Sequence, residues 1–491
     1  MNQTVTNYID TSYKTWEKEE NILFNIAMGR GKTYFIVNVL GKYADKDNKK
    51  ILYLCNRSNL STQVFGALKN TGVKSIVIKT YQSMQNDIQD KSVSEYFDYI
   101  ICDECHYFYT DSWNDRTDIM LDWITKQKSI RLFMSATGGL VFNYLRRTKS
   151  ECREYTLKPD YSYIKKIIFY DNDLYIDRVL DDVVDNIVDD EKVIYFSRKT
   201  PNAYELYIKY KCYASFVCSS YTKHKEYVKY IDKNAIDDSG NLKSQVTCTT
   251  SVMDNGIDIK DSQLKHVIID FEDIIQLIQA IGRKRVGKIE NNNFTLSDED
   301  SITIYIKNWS KGELTRFINL KSATIKEAEK VLKKDKKYLK ELTNRRGKII
   351  NSCLYIDYLE NCLKINEFRY LGLIYEINRL TWAKGIGFDQ YILGFLGESF
   401  KGAVEYINLK QEKIENDLEQ LVIYLKNLIG KKLYKEEKEE LINMVNYKVN
   451  GRQVKSPKKI SENLQKLGLE YIIESRKSNT KRFWIVSATN K

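Results

Sequence analysis

A chain of 491 residues, 43% hydrophobic and 29% charged, can bury about three ordinary cores and lacks the Pro- or Gly-rich tracts of a disordered protein. No apolar run reaches the roughly 18 residues a membrane span needs, and Met1-Asn2-Gln3-Thr4 lacks the basic-then-apolar pattern of an export signal, so a cytoplasmic protein without membrane contact is expected. The net charge of +12 is uneven, with +13 on residues 309–491 and −1 on 1–308, which points to a polyanion partner for the C-terminal part.

Along residues 20–140, short uninterrupted runs rich in Ile, Val, Leu, Phe and Tyr alternate with helix-like stretches. The runs Ile22–Ala27, Ile51–Cys55, Ser75–Ile78, Tyr99–Cys102 and Ile130–Ser135 predict strands buried on both faces of a parallel sheet. The first run leads into Met28-Gly29-Arg30-Gly31-Lys32-Thr33 and a helical run through Leu40. Strand, glycine turn, helix is the order a phosphate-binding loop requires. Glycines let main-chain N–H groups point inward, and the helix N-terminus adds its positive end. Lys32 can reach the outer phosphates of ATP, and the Thr33 hydroxyl can hold Mg²⁺. The strict pattern asks for Gly at position 26, which is Ile26 here.

The run Tyr99–Cys102 ends at Asp103-Glu104-Cys105-His106. Two acids at a strand's carboxyl end can divide the labour: Asp103 holds Mg²⁺, and Glu104 polarises the attacking water. Cys102 and Cys105 form an isolated C-x-x-C with no second pair nearby, so zinc or redox chemistry is not expected, and nine scattered cysteines suit a reducing compartment.

A second series follows a junction near residues 140–162: Ile164–Tyr170, Lys192–Phe196, Ala214–Cys218, Gln245–Cys248, His266–Asp270 and Ser301–Ile306. From about Trp309 the pattern turns to long amphipathic helices, including Leu314–Leu342 and Leu409–Leu428. At the end, Lys435–Asn446 and Ser456–Leu467 read as helices, and Tyr471–Glu474 and Arg482–Val486 as strands of a basic hairpin, an order similar to a winged helix.

Taken in order, the motifs resemble a superfamily 2 helicase of the DEAD/DEAH-box-like DExH (DECH box) type, over roughly residues 20–308. Leu54–Leu60 with Gln63 resembles the first nucleic-acid-contacting motif and Thr80–Ser83 the next; Ser135-Ala136-Thr137 matches the S-A-T element. Val193–Arg198, Thr249–Asp258 and Gln279–Arg285 resemble the fourth, fifth and sixth motifs. The resemblance implies two tandem RecA-like α/β domains, 1–150 and 151–308, then a helical accessory domain, 309–434, and a basic winged-helix-like segment, 435–491. ATP with Mg²⁺ would lie between the two α/β domains. Met28, Gly29, Arg30, Gly31, Lys32 and Thr33 would bind phosphates, Thr33 and Asp103 the metal, and Gly256 and Asp258 would face the nucleotide from the second domain. Lys32, Asp103, Glu104, Gln279, Arg283 and Arg285 would form the catalytic set, with His106, Ser135 and Thr137 coupling hydrolysis to domain movement. Arg57, Thr80, Ser197, Arg198 and Thr249 would touch nucleic-acid phosphates, joined by Lys458, Lys459 and Arg482 of the basic end.

Two departures matter. The sixth motif usually reads G-R-x-x-R, whereas Gly282-Arg283-Lys284-Arg285 is G-R-x-R, so Arg285 is the first choice for the arginine finger and Arg283 the second. No upstream glutamine is close enough to read adenine, Gln3 being too distant. The expected activity is an ATP-dependent helicase or translocase working as a monomer, with DNA favoured over RNA. A duplex translocase that does not separate strands and a hydrolysis-deficient binding scaffold are the alternatives.

Overall fold

The computed structural model describes residues 3–56, 58–69, 71–110, 114, 117–148, 150–185, 190–220, 222–253, 258–290, 293–296, 300–333, 351–357, 362–449, 452–478 and 481–489. Two compact units are present, Met1–Ile407 and Asn408–Lys491.

In the first unit the leading apolar runs become β1 (Asn21–Ile26), β2 (Ile51–Cys55), β3 (Ile76–Thr80), β4 (Tyr99–Cys102) and β5 (Ile130–Ser135), joined by β6 (Cys152–Leu157). They form one parallel sheet in the order β3-β2-β4-β5-β1-β6. Complete burial of β2, β4 and β5 is why their sequences run apolar without alternation. β6 escaped sequence reading because it is an edge strand of mixed exposure with a charged face. The order matters for function: β4, β5 and β1 are neighbours, so the segments leaving their carboxyl ends meet in one crevice.

The second series gives β7 (Ile164–Tyr170), β8 (Lys192–Ser197), β9 (Ala214–Val217), β10 (Val246–Thr250), β11 (Leu264–Asp270) and β12 (Ile302–Lys307). A further strand, β13 (Ala403–Ile407), completes a parallel sheet in the order β13-β7-β12-β11-β8-β10-β9. Two tandem parallel α/β sheets, as expected from sequence, are therefore the observed fold class. Helix α1 (Ile274–Ile281) follows β11 and is capped by Asp273, whose Oδ1 accepts from Ile275 N at 2.8 Å and Gln276 N at 3.1 Å.

The helical stretch after β12 is not set apart from the two sheets. Helix α2 (Lys311–Leu332) opens on a capping box of Ser310 and Glu313. Helices α3 (Glu367–Ile386) and α4 (Phe388–Leu396) follow, and Leu380, Ala383, Phe388 and Ile392 are buried in the core of the second sheet. Phe368 of α3 is buried instead in a core of the first. The division between compact units thus falls inside the 309–434 stretch that the helical pattern reads as one region. The C-terminal part of the predicted helix Leu314–Leu342 lies outside the described residues.

The second unit holds α5 (Leu409–Leu428), α6 (Lys435–Val445), α7 (Pro457–Lys466) and an antiparallel hairpin of β14 (Tyr471–Ser478) and β15 (Lys481–Ala488). Its own core includes Leu425, Leu441, Leu464, Ile473, Trp484 and Val486. Trp484 is 8% exposed, so it packs the core rather than offering a stacking face. No described helix is long and apolar enough to cross a membrane.

Candidate functional site

The loop after β1 has the geometry of a phosphate cradle. Gly29 and Gly31 hold φ of +75° and +85°, which a side chain would strain, and Lys32 opens a helix behind them. Lys32 Nζ turns back into its own loop, donating to Ile26 O at 2.9 Å and Ala27 O at 3.1 Å. Burial holds its pKa below the usual lysine value, opposed by the charges of Glu104 and Asp103. The missing Gly at 26 is explained by position: Ile26 is still strand, fully buried, and not part of the turn.

The acidic box leaves β4 directly beside this loop. Tyr53 Oη donates to Asp103 Oδ2 at 2.5 Å, and Tyr81 Oη donates to Asp103 O at 2.8 Å. Burial, reinforced by the Glu104 charge, raises the Asp103 carboxyl to about 6 despite the Tyr53 hydrogen bond. Burial also pushes Glu104 up, but the His106 hydrogen bond and the charges of His106, Lys32 and Arg283 outweigh it and bring the group down to about 2. Two adjacent acids are thus driven apart in acidity, so that Asp103 takes up a proton well before Glu104 as pH falls. Glu104 also sits at φ +48°, a left-handed conformation that a non-glycine residue adopts at a cost and that clusters at working sites.

The Tyr53 hydroxyl interacts with Thr33 as well as Asp103, so the two oxygen donors expected for Mg²⁺ converge on one phenol. That pair fits a hard cation that keeps its waters and arrives with a nucleotide. Among the described residues no cluster of three or more His, Cys, Asp or Glu could hold a metal by itself. Cys102 and Cys105 are buried, and burial keeps both thiols protonated, which agrees with a packing role.

The second domain meets this site through α1. Gln279 Nε2 lies 2.7 Å from His106 Nε2, and His106 Nδ1 lies 3.0 Å from Ser135 Oγ and 3.3 Å from Glu104 Oε2. Nδ1 thus faces Glu104 and Ser135, and Nε2 faces the Gln279 amide. Ser135 Oγ also accepts from Thr137 N at 3.0 Å. One imidazole therefore joins the acidic box, the S-A-T element and the sixth motif.

Both competing arginines reach the phosphate loop. Arg285 Nη2 pairs with Asp258 Oδ1 at 2.6 Å, and its guanidinium covers Gly29, where a Cβ would lie 3.7 Å from Nη1. Burial raises the Asp258 carboxyl, but Arg285 outweighs it and holds the group below its ordinary value. Arg283 is buried, donates from Nε to Gln279 O at 3.2 Å, and sets Nη2 3.2 Å from Met28 Sδ. A cleft runs between the loop and the second domain, lined by Met28, Gly29, Arg30, Pro159, Tyr161, Gly282 and Arg285.

The expected nucleic-acid contacts are placed less uniformly. Thr80 caps the helix Tyr81–Gln89 through Ser83 N. Ser197 and Thr249 are fully buried, their hydroxyls donating to Lys199 O and Val217 O at 3.0 Å each, so as placed neither side chain faces solvent. Arg198 lies over the rings of Trp309 and Phe317 at 5.9 and 5.1 Å. Lys458, Lys459 and Arg482 are exposed. Arg57 and Gly256 lie outside the described residues. Sequence reading missed Tyr53 and Tyr81, because nothing in a buried strand or helix start marks a tyrosine as an Asp103 donor. The N-terminal helix meets the phosphate loop through its main chain, Val5 N donating to Arg30 O at 2.9 Å.

Comparison with known proteins gives a match of residues 2–139 to the ResIII family, described as the type III restriction enzyme res subunit. No curated protein matches the chain in sequence. Among solved structures the chain is similar to S. cerevisiae Dbp5 bound to RNA and ADP BeF3, with 16% identity, 58% of this chain and 78% of that one covered, and a TM-score of 0.46. It is also similar to Mss116p bound to ssRNA and AMP-PNP, with 13% identity, 71% and 72% covered, and a TM-score of 0.46.

Proposed function

We propose that this chain is a superfamily 2 helicase in which the ResIII-like segment and a second parallel-sheet domain form one ATPase cleft, and that it hydrolyses ATP there to move along DNA. The observation that carries this reading is the seam itself. Lys32, Asp103 and Glu104 come from one domain and Gln279, Arg283 and Arg285 from the other, joined at 2.7 Å through His106. A site divided in this way is complete only when both halves close on the same phosphates, which links hydrolysis to domain movement. Glu104, held ionised, orients the attacking water and takes its proton. Lys32 leaves its loop carbonyls to neutralise the transferring phosphoryl group, and Arg285, with Arg283 behind it, balances charge from the far side. Thr33 and Asp103 would hold Mg²⁺ arriving with the nucleotide, which would supply further neutralisation of the phosphates.

A polyanion partner is favoured by the positive charge of the C-terminal unit, where residues 451–491 carry ten Lys or Arg against three acids, and DNA over RNA by its winged-helix-like order of elements. Lys458 and Lys459 lie in the first turn of α7, where cations oppose the helix dipole. Such a turn suits an anion more than it suits the helix, and helix, helix, basic hairpin is consistent with a winged-helix grip on duplex. Phosphate contacts of this kind grip without reading sequence.

The test is ATP turnover with single-stranded DNA, duplex DNA and RNA side by side, followed by displacement on a tailed duplex. DNA-stimulated turnover lost in Lys32→Ala supports the reading, and a Lys32→Ala variant with normal turnover would end it. Stimulation by RNA alone would reassign the substrate. Stimulation by duplex without strand displacement would favour the translocase alternative.

A further inference from the structure

Helix α3 touches both motor domains beside the seam. Arg369, in its first turn, is 6% exposed and donates from Nη1 to Tyr109 O at 2.6 Å and Thr110 O at 3.2 Å. Those two residues end the helical turn that begins just after His106, and their own N–H groups donate back to His106 O at 3.0 and 3.1 Å. One turn along, Gly372 lies against the same place: a Cβ there would sit 2.6 Å from Tyr109 O. At the other end, Arg379 Nη2 is 3.7 Å from Asp273 Oδ2, the carboxylate that caps α1. Between the two arginines, Glu376 accepts from Arg369 at 3.1 Å and from Lys321 of α2 at 2.7 Å.

These contacts close a ring. It runs from His106 through the turn 107–110 to Arg369, along α3 to Arg379, across to Asp273, and down α1 to Gln279, which meets His106 again. A helix is a spacer of fixed rise, so the stretch from Arg369 to Arg379 is a rigid member of about 15 Å. It is seated in the second-domain core by Leu380 and Ala383. Packing alone would be served by an apolar side chain at 369. A buried guanidinium is retained at a cost, the more so here because Nε has no hydrogen-bond partner, and what it gains is Nη1 held on two main-chain carbonyls and Glu376.

We propose that α3 is a brace for the ATPase site and Arg369 its positioning residue, holding the main chain after the acidic box so that His106 meets Gln279. This rests on the ATPase reading above. Arg369→Met should leave ATP affinity within about twofold, because the phosphate loop is untouched, while lowering nucleic-acid-stimulated kcat by about tenfold. Gly372→Ala should act in the same direction by wedging α3 off the turn without changing charge, and it carries the comparison if Arg369→Met does not fold. Because both residues act through one contact, the double variant of Arg369→Met with Gln279→Ala should lose no more than Gln279→Ala alone.

A second readout does not depend on turnover. The chain has three histidines, so isotope-labelled histidine gives an assignable imidazole spectrum for the full-length protein. The His106 signal should move in Arg369→Met and Gln279→Ala alike. Additive losses of kcat, or an unmoved His106 signal in a folded brace variant, would overturn the proposal. A wild-type chain that hydrolyses no ATP with any polynucleotide would defeat the ATPase reading instead, and the imidazole spectrum would still decide the brace.

Discussion

At the acidic box, neighbouring carboxyls with opposite tendencies show how much a residue's chemistry depends on what surrounds it. The adjacent pair Asp103-Glu104 was legible in the sequence, and so was the glycine loop. What drives their acidities apart was not, because it comes from the burial of Asp103 and from the charges of Lys32 and Arg283 on Glu104, which are distant in sequence. The two arginines of the G-R-x-R element diverge in the same way. Arg285 covers Gly29 while Arg283 is buried behind Met28, so Arg285→Ala should cut kcat by about 10³ and Arg283→Ala by less, read from steady-state turnover at saturating DNA. Equal losses would show that the pair acts as one unit. Away from the site, Asp270 Oδ1 is buried with no hydrogen-bond partner, and burial raises its carboxyl to about 7. The folded state therefore holds the proton more tightly than the unfolded chain, and stability is lost as pH rises from the ordinary Asp value through about 7. Asp270→Asn should raise Tm by several degrees at pH 8, and the gain should disappear towards pH 4. A gain that persisted in acid would point to packing rather than ionisation.

Among the elements, those with one unbroken pattern were the easiest to read. Fully buried strands such as β2 and β4 appear in the sequence as apolar runs with the same boundaries. The edge strands β6 and β13 were hidden because half of each faces solvent and carries charge. Helix α3 lies in a stretch read only in general terms as amphipathic helices, and its packing against both domains was hidden because its apolar positions serve two cores at once. Helix α7 gives a prediction at this scale. If Lys458 and Lys459 meet phosphates, replacing both by Ala should reduce the slope of log K against log salt by about 0.9 for each duplex phosphate no longer neutralised. The measurement is binding at several salt concentrations, and an unchanged slope would remove α7 from the interface.

For the molecule as a whole, the useful division is between Met1–Ile407 and Asn408–Lys491. The smaller unit has its own buried cluster, from Leu421 to Val486, so a fragment of residues 408–491 should melt cooperatively by circular dichroism. A truncation at 451 would cut that cluster apart, so weaker binding after removal of 451–491 would report unfolding as much as the absence of its basic side chains. The sequence disclosed two α/β domains but suggested that each was finished where its strand series ended. Strand β13 shows otherwise, because it lies beyond α2, α3 and α4 and still adds to the sheet begun at Ile164. This has a consequence for the order of synthesis. When the ribosome has passed Lys307, the outer edge of β7 still lacks its neighbour, and an open parallel edge is a template for wrong pairing. The second domain can close its sheet only after α2, α3 and α4 have been made, so the helices that follow Lys307 must be in place before that edge is covered.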